Sequence, residues 1–470
     1  MNILHLSAEC YPIAKVGGLA DVVGALPKYL TLNGHKAQVI MPRYQLPFFL
    51  KHKFREVYSG QIDLGDQLYD FYIQSLSESE LGFEVHFVHI PGLLDLDSVY
   101  THDDSHRFTA FQRAALQWIC TWSQLPDILH CHDHHTGLVP FMMSYCHEFE
   151  RLKSIPSMLS IHNAQYQGWF SHDQGHIIPD FDRKYIGLLD WDGVINPLAA
   201  AIKCAWKVNT VSPSYMEELQ NNANGLESLL FHEREKCLGI LNGIDTQVWN
   251  PMTDPLIHKN YKATSVFSGK KANKKYVCNK FNLPVELPLF AFIGRLVYEK
   301  GSDLFPAVFE SLLSRKQCSI LLLGSGDPAT EQALRQLQEK DLGTYNHYIG
   351  YDEQLSHQIY AGADFLLMPS RVEPCGLNQL YSLAYGTIPI VRATGGLKDT
   401  VVDIAAGGFG FVHQQCEVDE IVQTVERAIA YYQQDPKMQK NRQRLMGIDH
   451  SWENAATNYL NVYESLKALS

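Results

Sequence analysis

A carboxylate and a group of free backbone amides are predicted to come together in the stretch Ser370–Gln379. The stretch lies between an apolar run of strand length and a segment of helical spacing, so it is predicted to connect a buried parallel strand to a helix. Pro374 suits the first helical position, and Glu373 at the mouth of the turn could hold hydroxyl groups. Donors for hydroxyls or phosphates would be the N–H groups of Cys375, Gly376 and Leu377. A solvated carboxylate near a helix start would show the same local pattern.

Two cations bracket a short loop in the stretch Gly294–Gly301, which follows another predicted strand. Because the chain has a net charge of −12, Arg295 and Lys300 at one sheet edge predict local capture of an anion such as a diphosphate. A guanidinium can bind such a group in a bidentate manner, and an ammonium adds a point charge. The alternative is an internal salt bridge, for instance between Arg295 and Glu299.

A second possible anion site follows the first predicted strand, Ile3–Ala8. The stretch Glu9–Asp21 contains Lys15 and the glycines Gly17 and Gly18, which permit a close approach of the backbone before the next helix. The spacing matches neither G-x-G-x-x-G nor a Walker loop, so the sequence lacks the dinucleotide and nucleoside-triphosphate motifs here. The alternative is a surface lysine beside a turn that serves packing.

The run His130–His135 has the residue types of a metal site, but its order differs from that of hydrolases with an H-x-H-x-D-H motif. Those enzymes have Asp in fifth place, whereas Asp133 is fourth here. No metal site is therefore expected. Asp133 and His162 each end a predicted strand, and ligands of open α/β sheets bind outside the carboxyl edge. Both residues are therefore candidates for a site at that edge.

Strands and helices alternate twice along the chain, once before and once after a boundary near 239–255 that contains two prolines. This pattern predicts an α/β protein with two doubly wound domains facing each other across a cleft. The last segment, Ser451–Ser470, has apolar residues at helical spacing and is predicted to be an amphipathic helix that packs on a domain surface.

Composition narrows the possible functions. The 470 residues exceed what one core normally holds, and the charge of −12 argues against nucleic acid as a general partner. The 10 cysteines are scattered without a C-x-x-C motif, which favours a reducing cytoplasm. No apolar run reaches membrane-spanning length, and no signal peptide is predicted at the N-terminus.

Four motifs in this order resemble bacterial glycogen synthase and plant starch synthase, which form glycosyltransferase family five. They are Lys15–Val22, Gly294-Arg295 with Lys300-Gly301, Ser370–Gln379, and Gly395–Thr400. The resemblance implies the GT-B fold, with two Rossmann-like domains across a deep cleft. Residues 1–245 would form the acceptor side, residues 246–450 the nucleotide-sugar side, and the helix 451–470 would pack back onto the first domain.

The resemblance also implies a reaction and its substrates. Glucose would pass from ADP-glucose, a co-substrate, to the non-reducing end of an α-1,4-glucan such as glycogen or starch. The configuration would be retained, without a metal or cofactor and without a nucleic-acid or membrane partner. The family often has Phe, Thr and Trp where this chain has Val372, Asn378 and His134, so the fine donor and acceptor preference is open.

The motifs and the family resemblance together imply two sets of site residues. The catalytic set comprises Glu373, His162, Asp133, Arg295 and Lys300. The substrate-binding set comprises Lys15, Gly17, Gly18, Asp21, Asn163, Asn242, Tyr351, Cys375, Gly376 and Leu377.

Retention through a covalent intermediate would need a carboxylate behind the anomeric carbon, and Asp133 is the candidate that the motifs offer. Nothing in the sequence places it there, so attack from the front face is preferred. The alternatives are a metal-dependent hydrolase built on His130–His135 and a non-catalytic glucan-binding protein with the same fold.

Overall fold

The computed structural model describes residues 1–77, 81–102, 104–340 and 343–469. Ser470, the last residue of the predicted terminal helix, lies outside them. The chain divides into two compact units: unit 1 comprises Met1–Ile240 and Trp452–Ser470, and unit 2 comprises Leu241–Ser451. The boundary falls a little before the predicted one after residue 245, and it places Asn242 in unit 2.

Unit 1 is built on a nine-stranded sheet formed by the described residues, with the strand order β11-β10-β7-β6-β1-β2-β5-β4-β3. In this sheet the pairs β3–β4 and β4–β5 are antiparallel, and the remaining pairs are parallel. A separate short hairpin is formed by β8 and β9. The strands are β1 Asn2–Leu6, β2 Lys36–Pro42, β3 Phe54–Leu64, β4 Gln67–Leu76, β5 Glu84–His89, β6 Ile128–His132, β7 Ser157–Ile161, β8 Asp190–Trp191, β9 Val194–Ile195, β10 Lys207–Thr210 and β11 Cys237–Gly239.

Helices cover the sheet of unit 1, and two of them, α6 and α7, begin at side-chain caps that satisfy their first amides. The side chains of Asn196 and Ser212 accept hydrogen bonds from amides in the first turn of α6 and α7. The helices before the unit boundary are α1 Gly18–Leu32, α2 Pro47–Lys51, α3 Asp104–Cys120, α4 Val139–Tyr145, α5 Ile186–Leu189, α6 Pro197–Cys204, α7 Pro213–Leu219 and α8 Glu227–His232.

Unit 2 contains a six-stranded sheet, in the described residues, whose strands are all parallel and follow the order β14-β13-β12-β15-β16-β17. Parallel strands covered on both faces need nearly continuous apolar runs, and Ser319–Gly324 is buried throughout. The strands are β12 Leu289–Ile293, β13 Ser319–Gly324, β14 Tyr345–Ile349, β15 Phe365–Met368, β16 Ile388–Arg392 and β17 Phe411–His413. The helices are α9 Val266–Lys280, α10 Phe305–Leu313, α11 Pro328–Lys340, α12 Glu353–Gly362, α13 Asn378–Ala384, α14 Gly395–Thr400, α15 Val418–Tyr432 and α16 Asp435–Leu445.

The last helix, α17 at Trp452–Lys467, returns to unit 1. Its buried side chains, among them Trp452, Tyr459 and Tyr463, form one core cluster with Val22 and Leu26 of α1. The amphipathic pattern of the last segment therefore reflects burial of one helix face against unit 1. Among the described residues, no helix is both long enough and apolar enough to cross a bilayer.

Both large sheets reverse their strand order at one point between parallel strands, which confirms the predicted doubly wound α/β class. In unit 2 the reversal lies between β12 and β15, and in unit 1 between β1 and β6. Loops that leave the carboxyl ends of the two strands at such a point diverge to opposite faces and leave a crevice, where ligands bind in open α/β sheets. The four loops that follow these strands carry most of the predicted site residues.

Candidate active site

The predicted motifs of unit 2 follow the two strands at its reversal point. Arg295 lies two residues after the end of β12, and the stretch Ser370–Gln379 follows β15. The amides of Arg371 and Val372 donate to the Glu299 carbonyl, so the two loops are bonded to each other. The fold therefore brings the predicted anion site and the predicted hydroxyl site to one crevice.

Lys300 and Glu373, predicted to act on different parts of the substrate, form an ion pair with an Nζ–Oε2 distance of 2.6 Å. The Ser370 hydroxyl donates to the same carboxylate oxygen over 3.0 Å. The Glu373 side chain is only 8% exposed, whereas that of Lys300 is 24% exposed. Contact with a cation and a hydroxyl compensates for burial of the carboxylate, and the ammonium keeps donors for a further acceptor.

Arg295 is exposed and forms no ion pair with the described residues. The alternative of a salt bridge with Glu299 is thus not found, and the salt bridge in this loop involves Lys300 instead. An exposed guanidinium at the carboxyl edge is available to an anionic ligand.

The turn after Glu373 differs from the prediction. Helix α13 begins at Asn378, so Pro374 does not occupy its first position and the segment 374–377 is an irregular turn ahead of the helix. The physical reason lies in Gly376, whose φ of 73° is left-handed and incompatible with a helix that starts at Pro374. The predicted donors Cys375, Gly376 and Leu377 therefore belong to a turn and not to a first helical turn.

Two glycines at the start of α14 pack against the backbone of this turn. A Cβ on Gly395 would lie 2.1 Å from the Glu373 carbonyl oxygen, and one on Gly396 would lie 2.0 Å from the Cys375 carbonyl oxygen. The Gly396 amide also donates to the Glu373 carbonyl over 3.1 Å. Only glycine permits this approach, so the pair fixes the backbone that carries Glu373.

The remaining predicted residues of unit 2 are Asn242 and Tyr351. The backbone N–H group of Asn242 donates to the Cys375 sulfur. Burial raises the pKa of the Cys375 thiol to about 12, so the thiol stays protonated. The Asn242 Oδ1 atom is buried and has no hydrogen-bond partner among the described residues. Tyr351 is 84% exposed. Asn242 thus lies beside the turn that follows Glu373, and its Oδ1 atom can accept a hydrogen bond from a ligand.

In unit 1, the loop after β1 is held by a carboxylate that the sequence did not single out. Glu9 Oε2 accepts the amides of Val16 over 2.6 Å and Gly17 over 2.9 Å, and the Tyr100 hydroxyl donates to Oε1. The amide of Gly17, one of the two glycines predicted to permit a close approach of the backbone, is therefore bonded to a side chain in this structure. Glu9 lies in the stretch Glu9–Asp21, but no motif or residue spacing in the sequence indicates that its side chain binds the loop backbone.

Lys15 lies on the surface of the same loop and pairs with Asp21 at 2.6 Å. Burial raises the pKa of Asp21, and the charge and hydrogen bond of Lys15 lower it by less. A Cβ added to Gly17 or Gly18 would meet no atom of the described residues within 4 Å beyond its chain neighbours, so the surface beside them is open. Lys15 and Gly18 are exposed at the start of α1, and Asp21 beside them is half-buried.

Asp133, which follows β6, is strained and buried. Its φ of 56° is left-handed, which costs energy for a residue with a Cβ. Its Oδ1 accepts the amides of His162 over 2.7 Å and Asn163 over 3.4 Å. Burial raises the pKa of Asp133 to about 7, although these two amides oppose the rise. The carboxylate therefore holds the end of β7 in place, and Asp133, His162 and Asn163 form one cluster.

The histidine run is explained by hydrogen bonds. Ring nitrogens of His5, His130 and His132 lie within 4.8 Å of one another, a spacing that a metal could use. However, both nitrogens of His130 contact hydroxyl groups, those of Tyr463 and Ser160, at 2.7 Å each. Both nitrogens of His132 contact other imidazoles at 3.1 Å. A metal would have to displace these bonds, so the donor set fits a polar core better than an ion.

The chain is similar to known proteins along nearly its whole length. Residues 2–232 match the family model described as starch synthase catalytic domain, and residues 274–445 match the model described as glycosyl transferases group 1. The chain is 47% identical to a glycogen synthase of Flavobacterium johnsoniae over 98% of both chains. It is 37% identical to a glycogen synthase of Geobacillus stearothermophilus over 99% of this chain and 98% of the other.

Solved structures extend the comparison to the fold. The catalytic domain of starch synthase IV from Arabidopsis thaliana, bound to ADP and acarbose, superimposes with a TM-score of 0.88 at 32% identity and 99% coverage of both chains. A sucrose-phosphate synthase from Thermosynechococcus elongatus superimposes with a TM-score of 0.64 at 18% identity over 100% of both chains, which concerns the fold alone. These matches confirm the predicted GT-B fold, and they lend no support to a metal-dependent hydrolase or a non-catalytic binding protein.

Proposed function

Because the chain belongs to the glycogen synthase family, whose reaction is glucosyl transfer in glucan synthesis, we propose a specific form of that reaction. Glucose moves from ADP-glucose to the non-reducing end of an α-1,4-glucan, and the anomeric configuration is retained. The observation that carries the proposal is the Lys300–Glu373 pair beside the exposed Arg295, at the strand reversal of unit 2. A basic group and an acidic group at one crevice suit a substrate that joins a diphosphate to a sugar.

In this reaction the bond between the anomeric carbon and the diphosphate oxygen breaks, and negative charge develops on the leaving group. Arg295 and Lys300 stabilise that charge, with Lys15 as a further cation. One preorganised donor of this kind is typically worth about 10²–10³ in rate. The second carboxylate oxygen of Glu373 and the amides of the 374–377 turn hold sugar hydroxyls. Asn242 Oδ1 and Tyr351 contact the nucleotide end of the donor.

Residues of unit 1 complete the proposal. His162 and Asn163 contact the transferred sugar, Asp133 holds both through their amides, and the loop with Gly17, Gly18 and Asp21 adds contacts on the same unit. We assign retention to front-face attack, in which the departing diphosphate accepts the proton of the glucan hydroxyl. Asp133 Oδ1 already accepts backbone amides, which favours a supporting role over a nucleophilic one. A glucosyl–Asp133 adduct detected by mass spectrometry would reverse this assignment.

The reaction as proposed needs no metal and no cofactor beyond ADP-glucose itself. The proposal also places the enzyme in the cytoplasm, where nucleotide sugars are available. All 10 cysteines are free thiols, as expected for a reducing compartment.

The deciding experiment supplies glycogen with ADP-glucose or UDP-glucose labelled in the sugar, in the presence of a chelator. The label is expected to enter the polymer from ADP-glucose, to be released early by an amylase that acts from the non-reducing end, and to be α-linked. Incorporation that stops with chelator and returns with zinc would contradict the proposal. Binding of glycogen without any incorporation would favour a non-catalytic protein instead.

A further inference from the structure

Three histidine side chains form a hydrogen-bonded chain that begins within the sheet of unit 1 and ends at His162. His5 Nδ1 lies 3.1 Å from His132 Nε2, and His132 Nδ1 lies 3.1 Å from His162 Nε2. The rings come from β1, from the end of β6 and from the residue after β7, which are neighbouring strands in the order β7-β6-β1. All three side chains are buried, so water does not compete for these bonds.

The three imidazoles are neutral, because burial lowers the pKa of His5 and of His162 to about 3 and lowers that of His132 well below its usual value. A neutral imidazole has one N–H donor and one nitrogen lone pair. His132 must therefore donate to one neighbour and accept from the other. The tautomers of the three histidines are therefore linked, so the position of the ring proton on one of them determines the positions on the other two.

The direction in which the three histidines donate their hydrogen bonds follows from the environment of His5. His5 Nε2 is buried and has no hydrogen-bond partner among the described residues. If the chain ran from His162 to His5, this nitrogen would carry an N–H group without an acceptor, and orphaned buried N–H groups are rare in proteins. The opposite direction leaves only a bare lone pair there. His5 Nδ1–H then donates to His132, His132 Nδ1–H donates to His162 Nε2, and the proton of His162 is on Nδ1.

We propose that His132 and His5 are positioning residues that fix the tautomer of His162, so that His162 offers its Nδ1–H group to a sugar hydroxyl oxygen. The His162 Nδ1 atom forms no hydrogen bond with the described residues, so this donor is available to a ligand. The identity of that ligand rests on the proposed function, whereas the tautomer is a property of the free protein.

His130 provides a matched control within the same cluster. Its ring stacks on that of His132 with centroids 4.2 Å apart, but its nitrogens contact Tyr463 and Ser160. The Ser160 hydroxyl donates to Asn209 Oδ1, so Ser160 accepts from His130 Nε2–H. His130 is therefore equally buried and equally close, yet it lies outside the chain that ends at His162.

The test is a long-range 1H–15N correlation spectrum of full-length protein labelled with 15N-histidine, with the His162 signals assigned from a His162→Gln variant. The wild type is expected to carry the His162 proton on Nδ1. In His132→Leu the proton is expected to move to Nε2 or to exchange between the two nitrogens. In His132→Gln, whose amide can accept from His5 and donate to His162, and in His130→Asn, it is expected to stay on Nδ1.

Turnover should follow the tautomer. We expect kcat for glucosyl transfer to fall by about 10-fold or more in His132→Leu, since losing the partner that fixes a functional imidazole has effects of this size or larger. His132→Gln should recover most of the loss. A wild-type His162 with its proton on Nε2, or an unchanged tautomer in His132→Leu, would overturn the proposal. Because the wild-type spectrum is recorded without substrate, it gives this answer even if His132→Leu fails to fold or no transfer is observed.

Discussion

At the scale of single residues, the Lys300–Glu373 pair gives the most direct prediction. Lys300→Ala and Glu373→Ala should each reduce kcat by about 10² or more, because each change removes a charge-assisted contact. Lys300→Ala also leaves the buried Glu373 carboxylate without its cation. The measurement is the initial rate of glucose incorporation from labelled ADP-glucose, with circular dichroism to check folding.

The ion pair between Lys236 and Glu233 is a matched control, since its distance is 2.9 Å and its side chains are 19% and 24% exposed. Lys236→Ala should leave kcat nearly unchanged. Lys300→Ala or Glu373→Ala enzyme with a rate close to that of the wild type would remove both residues from the catalytic set.

Asp133 gives a prediction about pH. Its pKa is about 7 in the folded protein and 3.8 in the reference state, so the folded protein holds a proton that the unfolded chain releases. A raised pKa contributes stability that is complete below about pH 4 and is lost as the pH rises through about 7. At about 1.4 kcal/mol per pH unit, the loss amounts to at most about 4 kcal/mol.

Asp133→Asn cannot ionise, yet its side-chain oxygen can still accept the amides of His162 and Asn163. The variant should therefore gain stability relative to the wild type as the pH rises from 5 to 8. The measurement is the denaturant midpoint of both proteins at several pH values, with salt held constant. A difference between the two proteins that does not change with pH would show that Asp133 has an ordinary pKa.

At the scale of elements, the start of α14 packs closely against the backbone that carries Glu373. Gly395 and Gly407 both have positive φ, of 44° and 79°, but only Gly395 faces another backbone atom at close range. Gly407→Ala should therefore cost only about 1–2 kcal/mol for the left-handed conformation.

Gly395→Ala must in addition displace the Glu373 carbonyl. We expect kcat to fall by about 10-fold or more, since shifts of about 1 Å near a reacting group can cost about 10²-fold. The comparison uses kcat and the denaturant midpoint of both variants. Equal effects in Gly395→Ala and Gly407→Ala would mean that the turn adapts to a Cβ group.

Hydrophobic periodicity was sufficient to predict most elements near the site. The predicted strand Ile3–Ala8 is observed as Asn2–Leu6, and the predicted terminal helix Ser451–Ser470 is observed as Trp452–Lys467. By contrast, β3 was not predicted, because it is an exposed edge strand whose outward side chains dilute the alternation. Local pattern thus identified buried elements and missed one that contacts solvent on its outer side.

Contacts between distant residues explain what the sequence did not predict at the site. Lys300 and Glu373 are 73 positions apart, and no local pattern indicates that they pair. The bond from the Gly17 amide to Glu9 and the left-handed Gly376 were equally hidden, since each depends on how a loop closes in three dimensions. The ends of the strands indicated where the candidate site residues lie, and tertiary packing determines which of their hydrogen-bond donors are already bonded within the protein.

At the scale of the whole molecule, the chain leaves unit 1 after Ile240 and returns to it with α17. Trp452, Tyr459, Tyr463 and Leu466 of this helix are buried in the core cluster of unit 1. Burial of one such side chain contributes roughly 1.5–3 kcal/mol, so the helix contributes several kcal/mol to unit 1 alone. The core clusters of unit 2, in contrast, draw on residues between Ile244 and Ile448.

A chain truncated after Ser451 should therefore lose the stability of unit 1 while unit 2 stays folded. In limited proteolysis, fragments from the first 240 residues should disappear first, and a synthetic peptide of residues 452–470 should restore their protection. Truncation after Lys467 keeps all of α17 and should behave as the full chain does. If the chain ending at Ser451 protects both units equally well, the helix only covers unit 1 and does not hold its core together.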